Sequence, residues 1–150
     1  MKIKNTISTG GINSITIAAL MLNPINWRGR HPQTLSVSYT HAWFPRINDK
    51  FTETTFAKVL GIRLEQKWVW QTQKMDFTRP TKNAVWVGTA EGLYAVLRYE
   101  ITPTKIKRTF SITGLTFWKR LGLRLAKRAM QKAGDQYLKN IIEECEENRE

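Results

Sequence analysis

Acidic residues are scarce in this sequence: twelve Asp and Glu stand against twenty-four Lys and Arg in 150 residues, a net charge of +12. A field of that sign attracts nucleic acid, acidic ligands or an anionic membrane, and it also keeps a chain soluble. Cysteine is scarcer still. Cys145 stands alone, so no disulfide can close within the chain, and the expected setting is reducing and cytoplasmic. Its neighbours Glu143, Glu144, Glu146 and Glu147 raise a thiol pKa, which argues against a nucleophile. Histidine is limited to His31 and His41; with no cysteine pair beside them, no metal site is expected. Gly-x-Ser-x-Gly, the P-loop and the dinucleotide fingerprint are all missing, and no cofactor is called for. Long apolar runs are missing too. Ile15 to Leu22 is too short to span a bilayer. It follows Lys2 and Lys4 only after Gly10, Gly11, Asn13 and Ser14, and no small-x-small cleavage site comes after it. The segment reads as an amphipathic first helix rather than a leader. With no internal repeat or low-complexity linker, residues 1–150 are expected to form a single domain.

What the chain has is aromatic bulk, with six Trp, six Phe and four Tyr, in segments of clear period. Lys2 to Ser8 alternates and stops at Gly10-Gly11, a first strand and turn. Asn13 or Ser14 can cap a helix to Leu22, which Pro24 ends, and Asn26 to His31 forms a compact turn. Strands are then predicted over Thr34–Thr40, Phe51–Phe56, Ile62–Thr72, Asn83–Ala90, Leu93–Ile101 and Lys105–Thr113. In the first, Leu35, Val37 and Tyr39 share a face; in the third, Ile62, Leu64, Gln66, Trp68 and Trp70; in the fifth, Leu93, Ala95, Leu97, Tyr99 and Ile101. From Leu115 the period becomes helical, with an apolar stripe through Trp118, Leu121, Leu125, Ala129, Met130, Ala133, Leu138, Ile141 and Ile142. The acidic stretch Glu143 to Glu150 opposes the helix dipole and should fray. The fold class that follows is α+β: a curved antiparallel sheet of about six to seven strands gripping a long C-terminal helix, with two short helices after the first strand.

That order resembles the polyketide cyclase/dehydrase families of the START-like (SRPBCC), or helix-grip, superfamily. The segments that carry the likeness are Asn23-Pro24-Ile25-Asn26-Trp27-Arg28-Gly29-Arg30-His31-Pro32, Trp68-Val69, Trp86-Val87-Gly88-Thr89-Ala90-Glu91-Gly92-Leu93, Lys107-Arg108-Thr109-Phe110 and Gln136 to Glu144. They span nearly the whole chain, and their order carries more weight than any one of them. Two stretches depart from the pattern: Leu115 to Arg124 is unusually basic, and Thr102-Pro103-Thr104 lacks the usual Gly-Thr. The resemblance implies a deep cavity between sheet and helix that holds a lipid, sterol, polyketide, quinone or similar molecule.

Strand parity and that resemblance together nominate the cavity lining: Tyr39, Trp68, Trp70, Trp86, Leu97, Tyr99, Arg108, Phe110, Leu125 and Ala129. Ordinary core packing is the competing reading for each aromatic, and parity leaves the face of Trp86 undecided. Arg108 falls in phase with Ile106, Phe110 and Ile112, so it should point inward. There it needs Tyr99 or Glu53 as a partner, or a ligand oxygen. His31 is a candidate acid/base, or else a turn residue bonded to the backbone. No acidic residue falls between Glu100 and Asp135. Phe117, Trp118, Lys119 and Arg120 could therefore meet an anionic membrane surface, unless the basic side is simply a solvated helix face. Three functions remain open at this level: a carrier of a hydrophobic small molecule, a cyclase/dehydrase acting on a polyketide-like substrate, and a basic nucleic-acid module. The apolar helix stripe, needed for a core, weighs against the third.

Overall fold

The computed structural model describes residues 1–148. Strand β1 (Lys2–Ser8) is followed by helix α1 (Ser14–Met21) and a 3-10 turn at Pro24–Asn26. Then come β2 (Thr34–Val37), β3 (Lys50–Val59), β4 (Ile62–Asp76), β5 (Lys82–Ala90), β6 (Leu93–Ile101), β7 (Lys105–Gly114) and helix α2 (Phe117–Glu147). The seven strands form one antiparallel sheet in the order β1-β7-β6-β5-β4-β3-β2. It curls into a half-barrel around α2, an α+β helix-grip architecture. Among the described residues no helix is long and apolar enough to cross a membrane.

Local chemistry sets the boundaries. The Asn13 side chain accepts from the Ile15 N–H at 2.9 Å and starts α1; the Thr116 hydroxyl accepts from the Lys119 N–H at 3.2 Å and starts α2. Val59 pairs with Ile62, which leaves Leu60 and Gly61 as a two-residue turn with φ of 52° and 79°. Positive φ at both positions is the I′ arrangement, which favours Asn-Gly. A bulky L-residue at the first of them costs about 1–2 kcal/mol.

Three expectations need correction. Strand β2 ends at Val37, and its pairing with β3 shifts between Thr34 and Ser36. The irregularity turns Thr34 inward as well, while the expected alternation holds in burial: Leu35 and Val37 are half-buried and Tyr39 buried, and Ser36, Ser38 and Thr40 are exposed. Helix α2 does not fray at Glu143 but runs to Glu147. Glu144 forms a two-pronged ion pair with Arg30 at 2.6 and 2.7 Å, and Cys145 is buried, which together outweigh the unfavourable dipole. Arg149 and Glu150, the end of that acidic tail, lie outside the described residues.

The third correction concerns the buried face of α2. Its first half buries Ala126 and leaves Trp118, Leu121 and Leu125 exposed, and Ala133 and Gly134 are buried at its middle. Near its middle the helix lies close to the sheet, and small residues face it there. A Cβ on Gly134 would fall 2.2 Å from the Asn5 side chain. The first half stands off the sheet instead, with Leu123 and Met130 turned inward and half-buried while Leu121 and Leu125 point outward. The second half buries Tyr137, Leu138, Ile141 and Ile142 against α1 and the sheet.

Candidate ligand-binding site

Strands β3, β4, β6 and β7 and the first half of α2 enclose a cavity of about 310 Å³, at the lower end of the range that accommodates a small-molecule ligand. Its walls are apolar. Trp68 and Trp70 stack in parallel with centroids 5.2 Å apart, and Phe110 meets Trp68 edge-on at 6.1 Å. Leu93, Leu97, Ile112, Ala126 and Met130 complete the lining. Trp70 can lie flat because Gly88 is its cross-strand partner: a Cβ there would come within 2.4 Å of the indole. The mouth is marked by lining residues that are also exposed, Leu64 of β4 and Trp118 of α2.

The floor is polar. Arg108 is buried, as its in-phase position on β7 requires, at 7% exposure. Its guanidinium donates to the Tyr99 hydroxyl and the Asn5 side-chain oxygen at 3.4 Å each, both long for hydrogen bonds, and lies 3.4 Å from the His31 ring nitrogen Nε2. It forms no ion pair with any described residue. Asn5 is held in turn by α2, donating to the Gln131 carbonyl at 3.1 Å and to the Asp135 carboxylate at 2.9 Å.

His31 lines the cavity at this floor rather than at a rim. Its Nδ1 accepts from the Gln33 N–H at 3.2 Å, so a neutral ring carries its proton on Nε2. Burial first, and Arg108 second, hold the imidazole well below its ordinary pKa. A neutral His31 therefore presents an Nε2–H to an Arg108 Nη2–H at 3.4 Å, donor facing donor with no acceptor between them. The Nδ1 bond to the Gln33 backbone is the turn role that the sequence offered as the alternative to an acid/base, and it leaves Nε2–H free to donate into the cavity.

Glu53, which the sequence offered only as a partner for Arg108, is buried on the opposite wall. One oxygen accepts from the Thr34 hydroxyl at 2.7 Å and the other from the Trp70 indole N–H at 3.0 Å. Burial pushes its carboxyl above the usual range, while these two bonds and the Arg108 charge pull it down. Burial likewise raises the Tyr99 and Tyr137 phenols. Tyr137 packs under His31 at a ring distance of 5.1 Å, and its buried hydroxyl meets the geometric criteria for a hydrogen bond with no described residue.

Of the residues nominated from sequence, Trp68, Trp70, Leu97, Tyr99, Arg108, Phe110 and His31 border the cavity. Tyr39, Trp86, Leu125 and Ala129 do not. Tyr39 lies beyond the end of β2, its hydroxyl on the Trp43 carbonyl at 2.5 Å. Trp86 faces inward but is walled off by Trp27, met edge-on at 5.2 Å, and donates to Thr72 at 3.0 Å. Leu125 and Ala129 sit one position away from Ala126 and Met130, which border the cavity instead; this is the same misphasing of α2. Phe117 and Trp118 are exposed, edge-to-face at 5.3 Å, and the Lys119 stem packs on Gly92. Sequence reasoning missed Trp27, Thr34, Glu53 and Met130 as lining residues. Glu53 carried a signal in its placement on a strand two residues from Phe51 with the same parity, and Met130 in its place on the apolar stripe of the last helix.

The sequence matches no protein-family model and no curated protein. Solved structures do match. A hypothetical protein, jhp0584, of Helicobacter pylori has a TM-score of 0.73 at 12% identity, over 97% of this chain and 88% of that one. A conserved protein of Geobacillus kaustophilus has a TM-score of 0.69 at 13% identity, over 98% and 96%. The Zhui aromatase/cyclase of Streptomyces sp. R1128 has a TM-score of 0.68 at 12% identity, over 100% and 96%. Identities this low speak to architecture alone: the chain shares the helix-grip fold of these structures.

Proposed function

We propose that this protein binds an apolar small molecule bearing an acidic or carbonyl oxygen, with that oxygen seated on the cavity floor between Arg108 and His31. The observation that carries the reading is the pair of facing donors. A buried guanidinium with two long hydrogen bonds, one donor-to-donor contact and no carboxylate is left undercompensated, and so is the Nε2–H opposite it. One ligand oxygen accepting from both would satisfy the two groups at once. The tryptophan walls would take the apolar body, and the mouth would admit its far end.

The test is displacement of an apolar fluorescent probe by paired ligands, an aryl or alkyl carboxylic acid and its neutral hydrocarbon analogue, on wild type and on Arg108→Met. The substitution keeps much of the volume and removes the donors. Carboxylate affinity should fall by about 1.5–3 kcal/mol, the range for charge-assisted hydrogen bonds, while the hydrocarbon binds as before. Unchanged preference for the acid in Arg108→Met would sink the Arg108 anchor; failure of any apolar probe to bind would sink the cavity reading itself.

A second reading is supported by Glu53. A buried carboxyl pushed towards its protonated form shares the cavity with a carbonyl-polarising guanidinium and the Tyr99 phenol. This combination suits proton movement on a bound polyketide-like carbonyl chain, in a cyclisation or dehydration. One structure of the same fold belongs to an aromatase/cyclase. On this reading, Glu53→Gln should abolish turnover of such a substrate while leaving its binding within a few-fold.

A further inference from the structure

The two lips of the cavity mouth carry apolar side chains that the fold does not use. At the tip of the β3–β4 hairpin, Leu60 is 84% exposed and Ile62 63%. Across the mouth, Trp118 is 75% exposed, with Leu121 and Leu125 following it at helical spacing. Leu64, two residues along β4 from Ile62, and Trp118 both line the cavity, so the two lips belong to one rim.

Leu60 is the most telling of these. It occupies the first position of a turn that demands positive φ, where Asn relieves the strain and prefers water. Leu is unfavourable there on both counts in a chain meeting only solvent, and it protrudes at the furthest point of the hairpin. An unfavourable local choice of this kind points to a function for the side chain.

Charge surrounds the apolar tips. Lys58 and its cross-strand partner Arg63 stand just behind the hairpin tip, and Arg124 and Arg128 border the exposed helix stripe. The nearby acids are few: Glu65 is paired with Arg63 at 3.2 Å, and Glu91 lies beside Gly92, against which Lys119 packs. Aliphatic tips ringed by basic residues fit a surface that dips below the headgroups of an anionic bilayer. Phosphates of a nucleic acid would engage the basic residues but give Leu60 and Ile62 nothing to bury.

Resting on the reading that the cavity takes an apolar ligand, we propose that the rim formed by the Leu60–Ile62 tip and the start of α2 docks on an anionic lipid surface with the cavity mouth facing it. The ligand then passes between bilayer and cavity without crossing water. The apolar lips enter the interface, and the basic residues hold the orientation.

The experiment is co-sedimentation of the whole chain with vesicles of phosphatidylcholine alone and of phosphatidylcholine with phosphatidylglycerol, at low and high salt, beside uptake of an apolar fluorescent probe in solution. Binding should need phosphatidylglycerol and weaken with salt. Leu60→Asn suits its turn better, so it should fold and melt no lower than wild type, yet its vesicle affinity should drop about tenfold. Paired Arg124→Glu and Arg128→Glu should reduce binding to anionic vesicles without affecting probe uptake. Vesicle binding that is equal on both lipids, or unmoved by Leu60→Asn, overturns the proposal. So does salt-sensitive binding to duplex or single-stranded nucleic acid with none to vesicles. A chain that takes up the probe and ignores anionic vesicles loses the docking proposal and keeps the cavity reading. A chain that docks through Leu60 but takes up no probe loses the cavity reading instead.

Discussion

Arg108 and His31 work against stability as they stand. A buried guanidinium without a carboxylate is a net burden, so Arg108→Met should leave the urea midpoint of the ligand-free protein unchanged or raised. A clear fall would mean that the 3.4 Å contacts to Tyr99, Asn5 and His31 outweigh the desolvation. His31 adds a pH dependence. Arg108 and Tyr137 face its ring, and burial with the Arg108 charge lowers its pKa. The unfolded chain therefore binds the proton more readily than the folded one. The stability His31 contributes is intact above its ordinary value of 6.5 and is lost as pH falls from there towards the depressed folded value. Glu53 has the opposite sign. Its raised carboxyl favours the folded state below 4.5, and that advantage fades as pH rises through the folded value. Urea unfolding followed from pH 7 downwards should show a falling midpoint. His31→Gln should flatten the fall, and an unaltered slope would assign it to another group.

Within helix α2, two glycines separate local propensity from packing. Glycine inside a helix costs about 1 kcal/mol relative to alanine. At Gly122 a Cβ meets nothing within 4 Å, so Gly122→Ala should stabilise by up to about 1 kcal/mol. At Gly134 the same methyl would strike Asn5, which is fully buried and tied to Gln131 and Asp135. Gly134→Ala should therefore destabilise by about 1–3 kcal/mol in spite of its better propensity, the usual range for overpacking. Chemical denaturation of both variants checks the pair, and equal effects at the two positions would refute the close approach of helix to sheet. Because Asn5 also touches Arg108, the Gly134 variant should bind acidic ligands less well than its stability alone would suggest.

At the scale of the molecule the core has a filled end and a hollow end. Ile17, Met21, Leu22, Ile101, Ile106, Leu138 and Ile141 are buried between α1, the sheet and the end of α2, and none of them borders the cavity. The first half of α2 and the long β3–β4 hairpin stand around the space instead. A ligand occupying it binds only the folded state, and at a hundredfold excess over its Kd it adds about 2.7 kcal/mol. Amide hydrogen exchange should slow on ligand binding in the β3–β4 hairpin and over residues 117–130, while α1 and the last turns of α2 exchange as before. Slowing spread evenly over the chain would place the ligand elsewhere or make the protein one cooperative unit.

The order of the strands and helices was legible in the sequence because period and turn chemistry are local. Arg108 was legible for the same reason: a residue's parity within a strand follows from its neighbours. Its lack of a carboxylate was not, since that depends on Glu53 being held elsewhere by Thr34 and Trp70, residues distant in sequence. The phase of the first half of α2 was misread because hydrophobic periodicity follows the large side chains, whereas that half stands over a cavity with Ala126 and Met130 turned in and Leu121 and Leu125 turned out. Trp86 looked like a lining residue until Trp27, from a turn more than fifty residues earlier, came between it and the cavity. Sequence alone determined the α+β order, the inward arginine and the basic aromatic start of the last helix. Only the tertiary structure decided which aromatics see the cavity and that Leu60 shares a rim with Trp118, because both depend on how far apart the elements stand once the sheet has curled.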